Sequence, residues 1–92
     1  MSANRKLIHT VIRVQKQDSA FLYFQLEANE GLCFYSTLSA SLGQQYRDID
    51  ILTPSELKEE FESVLKALET EIKMDILTSE LIDDSTDIRQ EV

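Results

Sequence analysis

The sequence predicts a single α+β domain: an antiparallel sheet with two helices packed on one face. Three observations predict it. Leu7 to Gln15 alternates apolar and polar residues and is rich in β-branched side chains. Leu57, Phe61, Val64, Leu65, Leu68 and Ile72 recur at the spacing of an amphipathic helix. Between these two segments lies a second stretch of strand character, broken by a polar loop, which reads as a hairpin. The chain has 92 residues, enough for one core and too few for two.

The elements follow in order. Residues 1–6 are polar and are expected to be a flexible N-terminus, with the domain itself spanning 7–78. In the first strand Ile8, Thr10, Ile12 and Val14 point one way, and His9, Val11 and Arg13 the other. Lys16 to Gly31 fits two descriptions. Alternation allows a strand, with Asn29-Glu30-Gly31 as a turn. A helix is favoured, capped by Asp18 and stopped by Gly31, with Phe21, Phe24 and Ala28 on one side and Phe21 and Phe24 expected to pack on the sheet beside Phe61, Leu65 and Leu68. Leu32 to Leu38 reads as a strand, Ser39 to Gln45 as a polar loop, and Tyr46 to Leu52 as the returning strand.

Thr53-Pro54-Ser55-Glu56 matches a capping box with proline at the first helical turn, opening the second helix. Glu62 with Lys66 and Glu69 with Lys73 are spaced as helical ion pairs. After Lys73 the pattern of Ile72, Met74 and Ile76 suits a short edge strand, with a continued helix as the rival. Residues 79–92 carry many acids and few apolar groups, and are expected to form a disordered acidic tail. The order βαββα(β) is that of a ferredoxin-like sandwich.

A resemblance points the same way. Asp18 to Ala28, then Glu30-Gly31-Leu32 and Thr37, resemble a family of short bacterial proteins that form a domain of unknown function. The shared pattern is an Asp, an aromatic and aliphatic helix ending in Glu, a Gly turn and a strand ending in Thr. The resemblance implies a topology and no activity. The element order is also similar to ACT regulatory domains, although no ligand signature of theirs is present, and the loop from Ser39 to Gln45 is longer than the expected turn.

Charge and composition narrow the function. The net charge is −8, and apolar residues make up 42% of the chain. Up to Pro54 five acids face five bases, whereas from Ser55 onward there are twelve acids and four bases. Such an excess opposes binding to nucleic acid or to an anionic membrane. One cysteine leaves no disulfide framework and no multi-Cys metal site, and two glycines leave no phosphate-cradling loop. No signal peptide or apolar span stands out, so a cytoplasmic protein is expected.

No catalytic constellation emerges, and neither a cofactor nor a metal is expected. Cys33 reads as a structural thiol, with His9 the one available base for it. Asp48 and Asp50 share a strand face and are expected to pair with Arg13 on the neighbouring strand. Glu27 reads as a structural acid beside the Gly31 turn. The expected function is a non-enzymatic protein–protein interaction or regulatory module that forms a homodimer. Val11, Arg13, Tyr35, Tyr46 and Leu52 are its candidate surface on the open sheet face. Leu81 and Ile82, flanked by Glu80, Asp83 and Asp84, are candidate anchors for a basic partner. The alternative is an ACT-like sensor that binds a small molecule at a dimer interface.

Overall fold

The structure is a computed structural model that describes residues 6–83. The N-terminal residues before Lys6, and residues 84–92 of the expected tail, lie outside the described residues. Among the described residues four strands and two α-helices follow one another: β1 (Lys6–Gln15), α1 (Ser19–Ala28), β2 (Phe34–Thr37), β3 (Tyr46–Pro54), α2 (Lys58–Glu69) and β4 (Met74–Asp83). The strands form one antiparallel sheet in the order β2-β3-β1-β4. β1 and β3 are central, while β2 and β4 form its edges.

Alternation along the central strands builds the core. Ile12 stands opposite Ile49 and Thr10 opposite Ile51. Ile12, Val14, Ile49 and Ile51 are buried on the face that receives Leu22 and Leu26 of α1 and Phe61, Leu65 and Leu68 of α2. Both helices therefore cover the same side of the sheet. The expected helix over 16–31 is present as α1, preceded by a 3-10 turn at Lys16–Asp18, but it turns Leu22 and Leu26 to the sheet and leaves Phe21 and Phe24, the expected core residues, exposed. Gly31 closes the turn after it with φ of +80°, a conformation glycine adopts without penalty.

Three expectations about boundaries are corrected. The first is the capping box, which does not form. β3 continues to Pro54, which keeps Thr53 in the sheet opposite Ile8, and α2 begins only at Lys58 after a 3-10 turn at Ser55–Leu57. The Thr53 hydroxyl is buried and has no hydrogen-bond partner. Asp18 occupies its expected position ahead of α1 but likewise makes no side-chain cap. The second concerns ion pairs. α2 ends at Glu69, so Lys73 is no longer on the helix, and the pair formed on α2 is Lys58 with Glu62 at 3.8 Å. The third is the end of the domain. β4 is ten residues long, and Ser79 to Asp83, expected as the start of the tail, continue the strand opposite β1. The acids there are solvated or paired: Lys6 Nζ donates to Asp83 Oδ1 at 2.7 Å.

The loop between β2 and β3 is polar but firmly tied. Ser41 is buried; its hydroxyl donates to the Leu38 carbonyl at 2.8 Å and accepts from the Asp48 amide at 3.0 Å. The Arg47 guanidinium donates to the carbonyls of Ser41, Gln44 and Tyr46.

Candidate functional site

The open sheet face carries polar pairs. Arg13 of β1 grips Asp48 of β3 with two hydrogen bonds of 2.8 and 3.0 Å, and its guanidinium carbon lies 3.9 Å from the Tyr46 ring centre. The Asp48 hydrogen bond is the largest cause that raises the Arg13 pKa. His9 Nε2 hydrogen-bonds Asp50, and His9 Nδ1 lies 4.0 Å from Glu80 of β4. The expected pairing of Arg13 with the β3 acids is thus formed with Asp48, while Asp50 turns to His9.

Val11, Arg13, Tyr46 and Leu52 do share this face, in register across β1 and β3. Tyr35 does not. It stands opposite Ile51, on the helix side, where its ring stacks on Tyr23 at 5.3 Å. Its hydroxyl donates to Glu27. That bond, with a smaller contribution from burial, raises the Tyr35 pKa to about 12. Tyr23 hydrogen-bonds Thr37 through their hydroxyls. Glu27 therefore ties α1 to β2, as its structural reading expects.

Cys33 packs against the core and is a free thiol. Burial pushes its pKa up to about 11, which disfavours a thiolate nucleophile. His9, engaged with Asp50 on the opposite face, is not brought to it. Among the described residues no group of three His, Cys, Asp or Glu side chains gathers where a metal ion could bind. Among them, too, no helix is long and apolar enough to cross a membrane.

A concavity lies on the helix side, between α2 and the edge strand β4. Its volume is about 500 Å³. Phe61 and Leu65 of α2 and Ile8 and Thr10 of β1 line it toward the core, and Ile76, Ser79 and Leu81 of β4 line its outer side. Lys58, Glu62 and Glu80 also border it. Thr10 and Ser79 hydroxyls meet at 3.3 Å between the two strands.

The groove exists because the helices stop short of β4. Ile76 is 47% exposed and Leu81 60% exposed, although both belong to the face that is buried on β1. Leu77 is an extra residue in β4: Ile76 pairs with Ile12 and Thr78 with Val11, so a bulge falls between them. β4 carries three acids, Asp75, Glu80 and Asp83, and no base.

The two candidate anchors separate here. Leu81 lines the groove, while Ile82 stands opposite Leu7 on the other face. Ile76, Phe61 and Leu65 were not among the sequence candidates. The available signal was the apolar pair Ile76-Leu77 followed by Leu81 in an acidic segment, which marks a strand that is only partly covered.

Comparison with protein-family models, with characterised proteins and with solved structures gives no match. The reading of function therefore rests on the groove and its surroundings.

Proposed function

We propose that this chain is a non-enzymatic protein–protein interaction module on a ferredoxin-like, ACT-like frame. The strand order β2-β3-β1-β4 with both helices on one face supports that frame. The groove beside β4 is its partner site.

One observation carries the proposal: a ten-residue edge strand lies beside an apolar groove of about 500 Å³. Among the described residues the outer edge of β4 has no neighbouring strand, so its backbone groups can pair with an added segment. Ile76, Leu81 and Phe61 offer pockets for apolar side chains of that segment. Asp75 and Glu80 favour a partner that flanks its apolar residues with Lys or Arg. A strand with like charges at three positions opposes pairing with a second copy of itself, and the bulge at Leu77 adds to this.

The test is affinity capture from the native cell with the full chain and with Leu81→Glu. A protein retained by the first and lost by the second supports the proposal. Equal recovery by both contradicts it.

A second reading is an ACT-like sensor of a small molecule. The groove volume is the observation in its favour, since ligand pockets commonly span about 300–1,000 Å³. A melting-temperature screen with amino acids and nucleotides separates the two readings, because a ligand of the folded state raises stability by mass action.

A further inference from the structure

The bulge in β4 sorts its side chains by chemistry. Asp75 and Glu80 are separated by an odd number of positions, and so are Ile76 and Leu81. In a regular strand each pair would be split between the two faces of the sheet. The extra residue at Leu77 shifts the parity. Asp75 therefore stands opposite Arg13 and Glu80 opposite His9, both on the open face. Ile76 stands opposite Ile12 and Leu81 opposite Ile8, both on the helix side, where they line the groove together with Ser79. All four residues are exposed. One side of this edge strand is thus apolar and the other acidic.

A strand added at the edge extends both faces at once. Its residues beside Ile76, Ser79 and Leu81 point into the groove, and those beside Asp75 and Glu80 point to the open side. Building on the groove as the partner site, we propose that its ligand is a basic amphipathic strand of another protein, with apolar residues at every second position and Lys or Arg between them.

Charge and geometry select this occupant together. Lys6 engages Asp83, at the end of β4, whereas Asp75 and Glu80 present carboxylates along the exposed edge. A chain of net charge −8 draws in a cationic segment and repels an acidic one. Only an extended segment reaches both faces of β4. A helix laid in the groove would meet Phe61, Leu65 and Leu81 but leave the open-face carboxylates unread. A block of apolar residues followed by a block of basic ones would put lysines into the groove and apolar side chains beside Glu80.

Fluorescence anisotropy with the full chain and two labelled peptides, each matched in length to β4, tests the proposal. In one, valine and lysine alternate. The other has the same composition, with the two residues arranged in pairs, so its charge is identical and its spacing suits a helix. The alternating peptide is expected to bind at least about tenfold more tightly. Glu80→Lys and Leu81→Glu, both at exposed positions, are each expected to weaken it by at least about tenfold while leaving the unfolding transition unchanged. Equal binding of the two peptides, tighter binding of the paired one, or no binding of either overturns the proposal. So does an alternating peptide indifferent to Glu80→Lys. Capture of a native partner that depends on Leu81, alongside any of these results, leaves the groove as the partner site and removes only the amphipathic strand. Capture that does not depend on Leu81 overturns both.

Discussion

Ile12 and Ile76 are neighbours across β1 and β4, on the same face of the sheet, yet Ile12 is wholly buried and Ile76 is 47% exposed. The helical cover ends between them. Everything proposed for the groove follows from that limit: Leu65 and Phe61 close over β1, and β4 projects beyond them. The same limit predicts how substitutions divide. Phe61→Ala opens the core and is expected to cost about 3–5 kcal/mol. Leu81→Ser and Ile76→Ser, at exposed positions, are expected to cost no more than about 1 kcal/mol while removing partner binding. Urea unfolding alongside the capture experiment checks the division. Groove variants that unfold as readily as Phe61→Ala would make the apolar β4 residues core rather than surface.

Thr53 presents a buried hydroxyl without a partner. Valine has nearly the same shape and no polar atom. Thr53→Val is therefore expected to raise stability by about 1 kcal/mol, since a desolvated hydroxyl with no hydrogen bond opposes folding. Were the hydroxyl needed as a helix cap, the same change would lower stability. The urea midpoint distinguishes the two.

That residue also shows what the sequence could and could not convey. Thr53-Pro54-Ser55-Glu56 has the form of a cap, but the alternation Ile49, Ile51, Thr53 extends the strand through it, and the sheet prevails. β1 and α2 were legible because each repeats one period over many residues. The helix over Ser19 to Ala28 was less so, because residues apolar on all sides fit both periods. Tyr35 was assigned to the open face because β2 offers aromatic residues on both sides, Phe34 and Tyr35, and pairing with β3 decides which one turns inward. Glu80 and Asp83 hid the second half of β4. Their charges read as tail, whereas they border His9 and Lys6 across the strand pair.

Arg13, Asp48 and Tyr46 act as one unit on the open face. Removing Arg13 leaves Asp48, a largely covered carboxylate, without its partner. Arg13→Ala and Asp48→Ala are each expected to destabilise the chain, and the double variant to lose less than the two losses added together. A double-mutant cycle in urea, repeated at high salt, measures the coupling. Strict additivity would show that the pair contributes nothing to folding.

Cys33 is expected to react slowly. With its pKa at about 11 against an ordinary 9.0, its thiolate fraction at neutral pH is about a hundredfold below that of a free thiol. Alkylation rates in the native and urea-unfolded chain check this. The sign for stability follows. A raised folded-state pKa favours the protonated thiol, so its contribution is whole below pH 9 and is lost as pH rises through about 11. The stability difference between the parent chain and Cys33→Ala should narrow over that window. A difference that stays constant across it would contradict the burial of the thiol.

The central claim is that the groove between α2 and β4 is where this chain meets another protein. A photo-crosslinking side chain at position 81, compared with one at position 11 on the open sheet face, tests it most directly. In the native cell the account predicts a protein adduct from position 81 and none from position 11. Adducts from position 11 alone, or from neither position, would contradict it.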